Sequence, residues 1–334
     1  MRYPTLATAA IVATATFGAA SPGAADTPEL TVYTYDSFVT EWGPGPAIKE
    51  AFEARCDCTL NMVGAGDGAA LLARLQLEGA RTDADVVLGL DTNLTHRAAE
   101  TGLFAPHGIE AELDLPIDWE DPTFLPFDWG WFAFVHDRER IPEPPGNFRE
   151  LIESDLDVVI QDPRSSTPGL GLLMWVKAAY GDDAAEIWQG LAPRVLTVTA
   201  GWSEAYGLFL DGEADMVLSY TTSPAYHVIA EEDDSKAAAA FDEGHYLQVE
   251  VAGVVAETDQ PELAQEFMDF ILSDDFQSAI PTTNWMYPAV TPQEGLPEGF
   301  ETLHQPEISL LFDADEAAGL RDSALDEWRD ALSQ

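Results

Sequence analysis

Met216-Val-Leu-Ser-Tyr-Thr-Thr-Ser-Pro-Ala-Tyr226 is the stretch whose reading decides the architecture. Met216 to Tyr220 reads as a short buried strand running into a polar loop. Ser223-Pro224 then reads as a helix start, with Ser at the N-cap and Pro at the first helical position. In open α/β sheets, ligands bind at the carboxyl ends of strands, where such loops lead into helices. Tyr220 and Tyr226 would present electron-rich faces there, and a cation is one ligand that such faces attract. The same rings also suit packing between helix and sheet, and this stretch alone leaves both readings open.

Outward from that stretch the chain repeats the pattern. Toward the N-terminus, strands are expected at Leu30–Tyr35, Thr59–Val63 and Asp85–Gly89, each followed by a helical segment, and this alternation predicts a parallel sheet with right-handed crossovers. Phe124 to Val135 is a long aromatic extended segment, expected to cross between two lobes. A second α/β set follows, with strands at Asp157–Ile160, Val195–Thr199 and the Met216 stretch. Tyr246 to Ala252 is extended again and would cross back. The expected fold is therefore α/β and two-lobed, of the hinged binding kind, with the cleft between lobes. The expected division is 26–125 plus 248–285 for one lobe and 126–247 plus 286–334 for the other, after a signal peptide over 1–25.

Composition narrows the function. The 334 residues carry 15 Lys+Arg against 60 Asp+Glu, a net charge of −45. No basic run exists to bind phosphates in series, so nucleic acid is not an expected partner. Such an acidic surface suits salty surroundings, where screening weakens self-repulsion. Arg2, the small apolar run Leu6 to Ala20, and Gly23-Ala24-Ala25 before Asp26 read as a targeting segment. Export follows, with cleavage expected near Ala25. The two cysteines, Cys56 and Cys58, read either as a strained short-loop bridge or as unbridged small apolar residues.

The residues just past each strand are the expected site: Tyr35, Asp36 and Ser37; Asp67 among glycines; Gln161 to Thr167; Gly201, Trp202 and Ser203; Tyr220 to Ser223; then Tyr226 and Trp285. Aromatic rings would clamp a flat ring or face a cation. Asp67 would accept hydrogen bonds or balance positive charge, or else cap the helix from Gly68. Ser166-Thr167 before a helix would hold an anion or simply cap. Arg164 would pair with that anion or with Asp162, and His227 and His245 read as structural. No nucleophile elbow, zinc-binding helix motif or P-loop is present. No enzyme activity, metal or cofactor is expected.

The blocks T-V-Y-T-Y-D-S-F (31–38), W-G-P-G-P (42–46), A-D-V-V-L-G-L-D (84–91), Q-D-P-R-S-S-T-P-G-L-G-L (161–172), G-W-S-E-A-Y-G-L-F-L (201–210), L-S-Y-T-T-S-P-A-Y-H (218–227), E-G-H-Y-L-Q-V-E-V (243–251) and I-P-T-T-N-W-M-Y-P (280–288) resemble the thiamine-binding proteins of bacterial transporters. The resemblance implies the two-lobed periplasmic binding fold with two crossing strands (type II) and a solute-binding protein that, in the periplasm, hands thiamine and its mono- and diphosphate to the permease of an ABC transporter; a monomer is expected. It also implies ligand contacts from Tyr35, Asp67, Gly68, Ser166, Thr167, Trp202, Tyr220, Thr221, Thr222, Ser223, Tyr226 and Trp285. The acidic surface and the turn G-A-G-D-G depart from the family pattern. The rivals are a binding protein for another organic cation, such as a polyamine, and a thiamine-degrading enzyme with a cysteine nucleophile.

Overall fold

The computed structural model describes residues 27–333, so the expected signal peptide lies outside them. The first unit alternates β1 (Glu29–Thr34), α1 (Gly45–Arg55), β2 (Thr59–Gly64), α2 (Gly68–Glu78), β3 (Val86–Asp91) and α3 (Thr95–Glu100), and adds the short β4 (Phe104–Ala105). The long β5 (Leu125–Asp137) leads to the second unit. That unit holds α4 (Phe148–Glu153), β6 (Val158–Gln161), α5 (Thr167–Tyr180), α6 (Ala184–Leu191), β7 (Val195–Thr199), α7 (Trp202–Leu210), β8 (Met216–Tyr220), α8 (Pro224–Ala230) and β9 (Lys236–Ala238). Then β10 (His245–Val255) returns, followed by α9 (Pro261–Ile271), α10 (Asp274–Gln277), β11 (Tyr287–Pro288), β12 (Ser309–Leu310) and α11 (Ala314–Leu332).

The strand order is β2-β1-β3-β10-β5-β8-β6-β7. β1 runs parallel to β2 and β3, and β6 parallel to β7 and β8. The two crossing strands lie between these parallel sets and run antiparallel to each other and to their neighbours. β5 serves both halves: Leu125 to Trp131 pairs with β10, and Phe132 to His136 pairs with β8. Its second part, Trp131 to Val135, is a continuous apolar run because both faces are covered, as in other buried strands. Phe132, Phe134 and Val135 are fully buried. The expected two-lobed plan is thus the observed one.

Two local features correct or sharpen the sequence reading. Cys56 and Cys58 are joined in a disulfide with Cα atoms 5.2 Å apart. Cys56 is the residue at which α1 gives way to extended backbone, with φ −102° and ψ 147°. That change of direction brings the Cα atoms into the ordinary bridging range, so the awkward separation expected from sequence does not arise. The loop before β11 is a wide helical turn, Ile280–Asn284, ending at Trp285 with φ 57°. A tryptophan in the left-handed region is uncommon, and such conformations gather at functional sites. Among the described residues no helix is long and apolar enough to cross a membrane.

Candidate functional site

A cavity of about 400 Å³ opens where the strand ends of the two halves meet. The structure brings Tyr35, Asp67, Thr167, Trp202, Tyr220, Ser223, Tyr226 and Trp285 to its walls. Gly68, Ser166, Thr221 and Thr222 do not reach it. Thr221 and Thr222 are fully buried behind the wall: the Thr221 N–H donates to the Trp131 carbonyl, and the Thr222 hydroxyl points at the Met286 sulfur, 3.6 Å away. Ser166 is also fully buried. Gly68 faces the other half instead, and its N–H donates to the Thr167 hydroxyl at 3.1 Å. A Cβ on Gly68 would lie 2.6 Å from that oxygen, so the glycine permits the close approach.

Asp67 occupies the N-cap position of α2 without capping it. Its Oδ2 accepts the Trp202 N–H, at 3.1 Å, from the start of α7 in the opposite half. The capping role is thus exercised on the other lobe's helix, where a carboxylate also meets the positive end of the helix dipole. Burial raises the Asp67 pKa to about 6, against the lowering effect of that hydrogen bond. The Ala70 N–H donates to the Ser165 carbonyl at 3.0 Å. Three hydrogen bonds therefore tie α2 and its cap to the segments that begin α5 and α7.

The aromatic residues divide between the walls. Trp202 stacks on Tyr206 with centroids 5.0 Å apart, and Tyr206 stacks on His227. Trp42 approaches Trp202 from across the opening, 6.3 Å between centroids. The Trp202 indole N–H donates to the Ser219 hydroxyl, which shares a hydrogen bond with Ser223. Ser223 stands at the N-cap of α8 as expected, but its hydroxyl accepts from the Tyr220 N–H rather than capping the helix. Tyr226 meets Trp285 edge to face at 5.4 Å. The left-handed turn at Trp285 is what carries its ring to the cavity.

Some lining residues were not expected from sequence, notably Trp42, Tyr206, Glu250, Asn284 and Met286. Glu250 had a signal: a carboxylate in a crossing strand whose other residues, His245 and Gln248 apart, are apolar. Asn284 donates to both the Tyr35 hydroxyl, at 2.8 Å, and the Asp128 carboxylate, at 2.6 Å, and so fixes the wall below the rings. Tyr35 is pushed well above its ordinary pKa by burial first and by the charges of Glu250 and Asp128 next.

Arg164 pairs with Asp162 and does not line the cavity. His227 has more acidic company than its sequence suggests, since its ligand atoms and those of Glu231 and Asp233 lie within 4.8 Å of one another. Both ring nitrogens are already engaged, one by the Tyr206 hydroxyl at 2.9 Å and one by Glu231 at 2.7 Å. This makes the ring a brace beneath the Tyr206 stack.

The lining holds two carboxylates, Asp67 and Glu250, and no lysine, arginine or histidine. The first residues of α5, α7 and α8 also meet it, through Thr167, Trp202 and Ser203, and Ser223 just before α8. Chemically the cavity offers flat rings and negative charge to a cationic or heteroaromatic group, and backbone N–H groups with hydroxyls to an anion.

The family model described as bacterial extracellular solute-binding protein matches residues 40–278. The thiamine-binding periplasmic protein of Escherichia coli is 56% identical over 92% of this chain and 94% of its own length. That of Brucella abortus is 51% identical over 94% of this chain and 95% of its own. A solved periplasmic thiamin binding protein superposes with a TM-score of 0.90 at 55% identity, covering 95% of this chain and 100% of that one. The periplasmic binding protein AfuA from Actinobacillus pleuropneumoniae, at 17% identity and a TM-score of 0.76, shares the fold. These relatives are binding proteins rather than enzymes. On this evidence of chain and fold together, the protein belongs to the bacterial extracellular solute-binding proteins and stands among their thiamine-binding periplasmic members.

Proposed function

We propose that this chain captures thiamine in the cavity between its lobes and delivers it, in the periplasm, to the permease of an ABC transporter. The observation that carries the reading is the cavity's chemistry: Tyr35, Trp202, Tyr220, Tyr226 and Trp285 around a space with two carboxylates and no cationic side chain. Thiamine offers a cationic thiazolium, a flat aminopyrimidine and an alcohol. The rings meet the aromatic walls, each contact contributing about 0.5–2 kcal/mol. The mono- and diphosphate are included in the proposal. Their anionic ends suit the helix starts at Thr167, Ser203 and Ser223, where N–H groups and dipoles favour negative charge.

The ligand set proposed is Tyr35, Asp67, Thr167, Trp202, Tyr220, Ser223, Tyr226 and Trp285 in direct contact, with Gly68, Ser166, Thr221 and Thr222 supporting them from behind. The lobe division expected from sequence, export with cleavage near Ala25, and a monomer belong to the same proposal. The disulfide and its place at the far end of α1 disfavour a cysteine-dependent enzyme, since neither sulfur is a free thiol.

Calorimetric titration of the mature protein with thiamine, its monophosphate and its diphosphate tests the reading, with spermidine as control. Submicromolar binding of the thiamine series with spermidine silent is the expected result. Absence of heat and of any tryptophan fluorescence change with all three thiamine forms overturns it.

A further inference from the structure

Three carboxylates stand in one row beneath the cavity. Glu250 on β10 is in register with Asp91 on β3 and with Asp128 on β5. Residues directly opposite on neighbouring strands project to the same face, so these side chains lie side by side. All three are buried, and Glu250 in the middle lines the cavity. The ladder slips next to Glu250 on both sides, between Glu250 and Val251 against β5 and between Val251 and Ala252 against β3. Such bulges re-aim side chains and recur beside active sites.

Amide groups hold the outer members of the row. Asn93 donates to Asp91 Oδ2 at 3.0 Å, and Asn284 to Asp128 Oδ2 at 2.6 Å. The remaining oxygens, Asp91 Oδ1 and Asp128 Oδ1, are buried without a hydrogen-bond partner. The row also faces the hydroxyls of Tyr35 and Tyr220, whose pKa values are raised first by burial and then by its charges, with Asp67 adding to the effect at Tyr220. Among the described residues no ion pair with lysine, arginine or histidine involves Asp91, Asp128 or Glu250. This is a built row of buried carboxyl groups with one member open to the cavity.

We infer that Glu250, backed by Asp128 and Asp91, is the counter-charge that selects a positively charged ring in this cavity, and that engaging the ring expels a proton from the row. The inference rests on the thiamine reading and deepens it. Neighbouring buried carboxylates cannot all ionise, because burial and mutual repulsion both favour the protonated form. Burial raises Asp91 and Asp128 to about 7, and burial with the charge of Asp128 raises Glu250 well above the ordinary carboxylate range. Before binding, the row therefore carries protons near neutral pH. When a cation engages Glu250, the O–H bond of a carboxyl breaks, the carboxylate left behind faces the cation, and the proton passes to solvent. Affinity for the cation then falls by up to about tenfold per pH unit as the pH drops below the row's titration.

The test is calorimetry of thiamine binding at about pH 7 in phosphate and in Tris, two buffers that take up protons with different heats. For the wild-type protein the observed enthalpy should differ between buffers by the amount expected for release of about one proton. Glu250→Gln keeps the shape, and should abolish the buffer dependence and weaken binding about ten- to a hundredfold. Asp128→Asn removes the neighbour that holds Glu250 protonated, and should reduce the proton release even if Glu250→Gln fails to fold. Thiamine binding that is independent of buffer in the wild-type protein, with unchanged affinity in Glu250→Gln or unchanged heats in Asp128→Asn, overturns this inference and leaves the proposed function standing. No thiamine binding by the wild-type protein overturns both.

Discussion

Replacing Asp67 by Asn keeps the side chain's shape but removes the charge that accepts the Trp202 N–H across the opening. Hydrogen bonds to charged groups contribute more than neutral ones. Asp67→Asn should therefore weaken thiamine binding by about 1–2 kcal/mol with little change in melting temperature, read by calorimetry and thermal unfolding together. A lower melting temperature with unchanged affinity would assign the residue to the fold alone. Trp202→Ala and Tyr220→Ala should each cost about 1–3 kcal/mol of binding, as loss of an aromatic anchor does. Equal affinity in both would remove the proposed cage. The residues at strand ends were legible in the sequence because the position of a strand end is a local property. Asn284 and Trp42 were not, because their place at the cavity depends on which segments face one another, and Glu250 showed only as a carboxylate in an extended run whose facing depends on strand register. Thr221 and Thr222 were misplaced by one layer: the chain turns inward there to donate to Trp131 before α8 begins.

Helix α5 and strand β5 make the tightest seam between layers. A Cβ on Gly171 would fall 2.0 Å from the Phe132 ring, so the helix can lie on the strand only because glycine stands there. Gly171→Ala should destabilise the protein by about 1–3 kcal/mol through overpacking, measured as a lower denaturant midpoint. An unchanged midpoint would mean the layers have slack. The seam is hard to foresee from sequence, since Gly169 and Gly171 read there only as small residues in an apolar helix. The acidic row across β3, β10 and β5 has its own thermodynamic signature. Its native pKa values, about 7 for Asp91 and Asp128, lie above those of the unfolded chain. The native state therefore holds the extra protons between about pH 4 and pH 7. Stability from this source is present at the lower end of that window and lost as the pH rises through it. Thermal unfolding of the ligand-free protein should move to higher temperature from about pH 8 to about pH 6, and Asp128→Asn should flatten the trend.

At the scale of the molecule, a net charge of −45 acts on every element at once. With 15 Lys+Arg against 60 Asp+Glu, ion pairs such as the exposed Arg149–Glu186 neutralise little of the repulsion locally. Raising salt from about 0.1 M to about 1 M shortens the screening length from about 10 Å to about 3 Å. The melting temperature should rise over that range, and a flat response would separate the acidic surface from any adaptation to salt. The two-lobed plan was legible because alternation of strands and helices, interrupted twice by long extended runs, is a pattern of whole segments. The crossing strands carry a further consequence. β5 and β10 pair with each other from Leu125 to Trp131, with one slip beside Glu250, and β5 then pairs with β8 from Phe132 to His136. A ribbon bonded along its length bends across its face far more readily than it shears. Bending across the face of that ribbon is the motion the pairing favours between the halves, and a partner that reads the angle between them would tell a loaded carrier from an empty one.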